Sequence, residues 1–184
     1  MEYFDIYNKY GEKTGEIIER KNAHKNGICH RAVHLWILNQ NNEVLIQQRS
    51  ASKGAGAGLW YVSVAGHIEA GENIESTLIR ETAEELGLDV SHLMNDVKYL
   101  YTFLECSLHR NGTYIDNEFF DVFALKADFD VNQIIMQPEE VQNVKYVKYD
   151  DFKKIIHTQD ESFWQHKVGY KLLLPSLDAF AACF

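Results

Sequence analysis

"SVAGHIEAGENIESTLIRETAEELGL", Ser63 to Leu88, is the stretch that decides how this sequence folds. A short strand-like run, "LWYVSVA", passes into a glycine-rich turn, and from Asn73 the apolar spacing becomes helical. The helical pattern ends at Gly87, a residue that accepts the left-handed conformation of a helix C-terminus. On a wheel of roughly 100° per residue, Leu78, Ile79, Thr82, Ala83 and Leu86 fall on one side. Glu81, Glu84 and Glu85 fall together within an arc of roughly 100° beside them. Arg80 precedes Glu84 by four residues, which is salt-bridge spacing. Clustered carboxylates repel one another, so the helix gains from the cluster only when a cation joins it. A hard divalent ion such as Mg²⁺ prefers carboxylate oxygens and keeps several waters. Such an ion can hold a diphosphate and lower the pKa of an attacking water. A pair of adjacent glutamates by itself is more often a solvated helix face. The wider spacing around the pair has to carry the functional reading.

Outward from that stretch, strands dominate. "YFDIY" and "TGEIIE" flank "NKYGEK" and predict an N-terminal hairpin over about 3–20. "RAVHLWILN" and "EVLIQQR", separated by "QNN", read as a second hairpin, and "VKYLYTFLEC" with "YIDNEFFDVFALKA" as a third around "SLHRNGT". "VQNVKYVKY" is one more strand. "DDFKKIIH" and "HKVGYKLLLPSLDAFAACF" predict helices over about 149–184, the second interrupted at Pro175. Hairpins with one central helix and closing helices imply an α+β fold. Its sheet is mixed and largely antiparallel, packed against helices, in one domain spanning 1–184.

A net charge of −9 makes the surface repel phosphates and nucleic acid, so an anionic substrate needs a bound cation or a local basic cluster. No basic stripe with interleaved aromatics exists, which argues against nucleic-acid binding. Cys29, Cys106 and Cys183 show no CxxC spacing, and a reducing compartment suits them. The opening "MEYFDIYNKY" lacks the basic and apolar regions of a signal peptide, and no apolar run reaches membrane-span length. The expectation is a soluble, cytoplasmic protein. A homodimer is compatible with the sequence, which does not fix the oligomeric state.

The spacing of the opening stretch is Gly66, five residues, Glu72, seven residues, Arg80-Glu81, two residues, Glu84-Glu85, one residue, Gly87. Seven fixed identities at roughly 7% usage each arise by chance on the order of once in 10⁸ starting positions. The pattern, residues 66–88, resembles the Nudix box, with Thr82 at one aliphatic position and Leu88 at the closing one. Resemblance to the Nudix hydrolases implies an α/β/α sandwich with a loop–helix–loop. It also implies Mg²⁺- or Mn²⁺-dependent attack of water on a diphosphate linkage. Carried over by position, Glu81, Glu84 and Glu85 are metal ligands, with one of them open to serving as base. By the same carry-over Glu72 pairs with Arg80 to brace the loop, and Gly66 and Gly87 permit its tight turns.

A second set narrows the branch: His24, His30, His67, Asp116 and Glu118. In order and approximate spacing they resemble the metal site of the type 1 isopentenyl-diphosphate isomerases, which share the Nudix fold. Asp116 stands where those enzymes carry a first glutamate. "QQRSASKGAGAGLW" is similar to their arginine- and lysine-bearing loop, and the likeness runs loosely from about residue 3 to 125. Isomerisation needs two opposed acid–base groups, a cysteine and a glutamate. Glu118 matches the glutamate, but Ala65 occupies the cysteine position, and a methyl group transfers no proton. The isomerases also tend to have a degraded box, whereas this one is complete.

The expected activity is therefore hydrolysis of a small-molecule diphosphate, such as a nucleoside diphosphate derivative, by a metal-activated water. Catalysis falls to Glu81, Glu84, Glu85 and Glu118, and Arg20, Lys21, Arg49 and Lys53 are phosphate contacts. The alternatives are isomerase-type proton transfer and a non-catalytic diphosphate-binding module. Trp36 and Trp60 read as core or pocket wall.

Overall fold

In the computed structural model, residues 1–53 and 55–183 are described. Gly54, in the lysine-bearing loop, and Phe184, the last residue of the expected helical segment, lie outside them. Among the described residues, nine strands and four α-helices follow in the order β1 (Tyr3–Tyr7), β2 (Lys13–Glu19), α1 (Arg20–Asn26), β3 (His30–Leu38), β4 (Glu43–Arg49), β5 (Trp60–Tyr61), β6 (Val64–His67), α2 (Ile74–Leu86), β7 (Lys98–His109), β8 (Tyr114–Lys126), β9 (Val141–Lys148), α3 (Tyr149–Thr158) and α4 (Tyr170–Ala181).

β1 and β2 form their own hairpin, and the other seven strands make one sheet of order β5-β4-β3-β8-β7, with β6 on β3 and β9 on β4. Of the strand pairs among the described residues in this sheet, β3 with β8 is parallel and the others are antiparallel. The sheet is thus mixed and largely antiparallel. β3 shows why it lies in the middle. Its side chains alternate between two buried faces: Ala32, Trp36 and Leu38 join one core with Phe152, Leu173 and Leu177, while Val33, Leu35 and Ile37 join the other with Leu78 and Leu86. Helices α3 and α4 cover the first face and α2 the second, giving an α/β/α sandwich. Trp36 is wholly buried between β3 and α3, and Trp60 packs partly buried at the edge of the same core.

Three expectations need correction. "LWYVSVA" is two strands, because one edge of β3 is shared: Ile37–Leu38 pair with β4 and Ala32–Leu35 with β6. Ser63 sits in the fork, its hydroxyl accepting from Ile37 N–H (2.8 Å) and donating to Leu45 O (2.5 Å). The buried polar groups freed by the split are satisfied there. Second, α4 continues through Pro175. The proline lies on the exposed side, where the carbonyl it leaves unbonded can turn to water. Third, Ala83 is exposed, and the face α2 buries consists of Thr77, Leu78, Thr82, Glu85 and Leu86. Thr82 fits against the core by donating its hydroxyl to Leu78 O, 2.7 Å away.

Candidate active site

Helix α2 begins with a capping box. Asn73 Oδ1 accepts from Ser76 N–H (2.9 Å), and Ser76 Oγ accepts from Asn73 N–H (3.2 Å). It ends at Gly87, whose φ of 65° suits glycine. Both termini are fixed, so the carboxylates between them have defined positions. Arg80 is their hub. It donates to both oxygens of Glu72 (2.9 and 2.8 Å), to Glu81 (2.7 Å), to Glu84 (3.2 Å) and to the carbonyl of His67 (3.0 Å). The loop before the helix is therefore stapled to the helix by one guanidinium. Gly66 serves a different end from the tight turn expected of it. It lies in β6 outside the left-handed region, and a Cβ there would overlap the carboxyl end of Glu81. What this glycine supplies is room for a carboxylate.

The three box glutamates differ in environment. Glu84 is about half exposed. Glu85 is buried and accepts from Gln47 Nε2 (2.9 Å) and Ala65 N–H (3.1 Å). Burial, with the Glu81 charge beside it, pushes the Glu85 carboxyl up from 4.5 to about 8. Burial likewise raises Glu81 to about 7, against the pull of Arg80. Both folded-state values lie above that of the unfolded chain, so between about pH 4.5 and 8 the metal-free fold holds protons that the unfolded chain has released. Its stability therefore falls as pH rises through that window. Thermal denaturation in a chelator is expected to show a melting temperature that declines from pH 5 to 8, with a divalent cation removing most of the slope. A flat profile in the chelator would contradict this.

The second cluster forms where α1, β3, β6 and β8 converge. His24, His30, His67 and Glu118 each place one ligand atom within 4.8 Å of the others. Two of the rings have their protons assigned by neighbours that can only accept. His30 Nδ1 is 2.8 Å from Ile28 O, and His24 Nδ1 is 3.1 Å from Asp116 Oδ1 and 3.4 Å from Ile115 O. In the neutral rings both Nε2 atoms then present lone pairs into the cluster. Neither has a hydrogen-bond partner among the described residues, although Glu118 Oε1 lies 3.1 Å from His30 Nε2. An acceptor facing an acceptor is resolved by a proton or a cation. His67 Nε2 approaches the same oxygen at 3.2 Å. Burial pushes the Glu118 carboxyl up, but His67 and His30 outweigh it and hold the group well below the usual carboxylate range. Asp116 lies beside this donor set, between His24 and His109 Nε2 (3.0 Å), where it orients a ring.

The N-terminal hairpin roofs the cluster. Phe4 is fully buried, stacked on His30 (centroids 4.5 Å, 10° apart) and on His67 (4.7 Å, 24°). Ala70 N–H donates to Tyr3 O (2.7 Å) and Gly71 N–H to Asp5 (3.2 Å), joining the roof to the loop before α2.

Both clusters open into one cavity of about 400 Å³. Glu81, Glu84 and Glu85 line it with His67, Asp116 and Glu118, as do Arg20, Arg49 and Lys53. Arg20 is tied to Glu2 at 2.6 Å. Arg49 lies over the rings of Tyr61 and Trp164, 5.3 Å from each centroid. Lys53 pairs with Glu140; burial, together with Arg49, lowers it to about 8. Lys21 does not line this cavity but borders the neighbouring groove with Arg20, His24 and Tyr114. Tyr61, Glu105, Trp164 and His166 also line the cavity, and no motif spacing pointed to them because they come from strands and loops far apart in the chain. Among the described residues no helix is long and apolar enough to cross a membrane.

Residues 29–167 match the NUDIX domain family model. The chain is 35% identical over 171 residues to Nudix hydrolase 3 of Arabidopsis thaliana, covering 91% of this chain but only 22% of that protein's length. It is 32% identical over 145 residues, 78% of each chain, to isopentenyl-diphosphate Delta-isomerase 1 of Photorhabdus laumondii. Among solved structures, DR0079 from Deinococcus radiodurans shares the fold with a TM-score of 0.65 at 22% identity, over 85% of this chain and 90% of that one. The box spacing, the sandwich that carries it and these likenesses agree: the chain belongs to the Nudix hydrolase family, on a branch that resembles the isopentenyl-diphosphate isomerases.

Proposed function

We propose that the chain hydrolyses a diphosphate linkage in a small molecule, such as a nucleoside diphosphate derivative, in a reaction that depends on Mg²⁺ or Mn²⁺. The observation that carries this is the placement of the box carboxylates: Glu81, Glu84 and Glu85 lie on one wall of one cavity, with a single guanidinium, Arg80, shared between Glu81, Glu84 and Glu72. The three form an all-oxygen donor set that suits a hard cation. A bound ion of that kind neutralises phosphate charge and lowers the pKa of the attacking water. Arg49 and Lys53 supply positive charge on the cavity wall for phosphate oxygens. His24, His30, His67 and Glu118 would hold a further divalent ion, with Asp116 fixing the tautomer of His24. The substrate is a small molecule rather than nucleic acid, and the protein works in the cytoplasm, as one domain over 1–184. The test is a product assay across nucleotide-sugar, dinucleoside, coenzyme and prenyl diphosphates with Mg²⁺ and Mn²⁺ compared. No phosphate-containing product from any of them would leave a diphosphate-binding module as the better reading.

Isomerase-type proton transfer remains the second reading, because the histidine–glutamate cluster is assembled and the Photorhabdus relative is named an isomerase. Against it, Ala65 offers the cavity a methyl group where that chemistry needs an acid. Isopentenyl diphosphate incubated in deuterated water with the protein is expected to gain no deuterium in the allylic isomer. Rapid exchange would reverse the order of the two readings.

A further inference from the structure

Arg49 is held on the cavity wall differently from Arg20, Lys53 and Arg80. Arg20 pairs with Glu2, Lys53 with Glu140, and Arg80 with Glu72, Glu81 and Glu84. Arg49 forms no ion pair among the described residues. Its Nε donates to the carbonyl of Ala55 (3.2 Å), and its guanidinium lies over the rings of Tyr61 and Trp164. A carboxylate holds a cation by neutralising it. An aromatic face holds it through the ring quadrupole and leaves the net charge intact. The positive charge of Arg49 therefore stays available to an anion in the cavity, and its Nη donors are not spent on acceptors among the described residues.

Both rings are themselves fixed. Tyr61 is buried, and its Oη lies 2.8 Å from His34 Nε2 and 2.8 Å from His166 Nε2. The phenol has one proton, so it donates to one imidazole and accepts from the other. Trp164 is laced to β5: its N–H donates to Trp60 O (2.8 Å), and Trp60 N–H donates to Ser162 O (2.8 Å). The indole also lies against Gly56, where an added Cβ would overlap its six-membered ring. Ala55 and Gly56 belong to the lysine-bearing loop, so that loop packs on the same indole that holds Arg49. The two ring planes are inclined at 55° with centroids 5.8 Å apart, which makes a two-sided seat for one planar cation.

We propose that Tyr61 and Trp164 are positioning residues for phosphate binding, seating the Arg49 guanidinium on the cavity wall as an un-neutralised cation for the diphosphate oxygens of the substrate. This rests on the diphosphate reading above and deepens it by naming what fixes that phosphate contact. If Trp164 instead only fills the edge of the core, its loss acts independently of Arg49.

The experiment is calorimetric titration, in Mg²⁺, with methylenediphosphonate, a diphosphate that cannot be hydrolysed and carries no organic half. Trp164→Leu is expected to weaken binding about tenfold, and Trp164→Phe, which keeps an aromatic face, to retain most of the affinity. Arg49→Ala is expected to weaken it about 10- to 100-fold. In the Arg49→Ala background, Trp164→Leu should cost no more than about twofold, because its effect passes through the guanidinium. Arg49→Lys leaves both rings in place and reads the seat even if Trp164→Leu fails to fold. It supplies charge without a planar face and should bind about tenfold more weakly than the parent. A Trp164→Leu loss of the same size with and without Arg49, no loss at all, or a lysine that fully replaces Arg49 would overturn the positioning role. A parent that binds no methylenediphosphonate would overturn the diphosphate reading and this role together, whereas a parent that binds it without coupling between Trp164 and Arg49 overturns this role alone.

Discussion

Glu85→Gln is expected to lower diphosphate hydrolysis by about 10²- to 10⁴-fold while leaving the protein folded. The fold survives because an amide oxygen can still accept from Ala65 N–H, 3.1 Å away in the parent, and the substitution changes no volume in the α2 core. The chemistry suffers because Glu85 is one of three carboxylates on the cavity wall, and the amide neither carries its charge nor binds a hard cation as well. The same change removes a buried carboxylate whose proton is held up to about 8, so in a chelator above that pH the variant is expected to melt higher than the parent. Steady-state rates and melting curves measured side by side would separate the two effects. Unchanged turnover would take Glu85 out of the machinery.

Gly66→Ala is expected to cost about 100-fold in hydrolysis with little loss of stability. The added methyl would overlap the Glu81 carboxyl, the far end of a flexible side chain that can swing aside without moving backbone. What is lost is the placement of a carboxylate that Arg80 otherwise holds at 2.7 Å. A variant that unfolds at room temperature would show that Gly66 meets a backbone demand. One that keeps full activity would show that the position of Glu81 is not needed.

How much of this was legible in the sequence depends on how local each feature is. The α2 helix, its Gly87 cap and the Glu72–Arg80–Glu84 spacing lie within one loop and helix, where period and reach fix the outcome. The three hairpins were legible for the same reason. The histidine cluster could be anticipated only through a resemblance, because its members come from four separated elements. The fork at β3 escaped, since "LWYVSVA" reads as one continuous β-rich run and nothing local marks Ser63 as the crossing point. The His34–Tyr61–His166 cluster escaped because its phenolic oxygen reaches one histidine 27 positions away and another 105 positions away. Lys21 shows the converse: charge next to Arg20 in sequence does not place it on the same cavity.

Phe4 gives the first few residues an unusual importance. A two-stranded hairpin that joins no larger sheet is marginally stable by itself. Here its fully buried phenyl ring stacks on both His30 and His67. Fraying at this end would therefore register as weaker ion affinity at the histidine cluster, ahead of any change in the sheet.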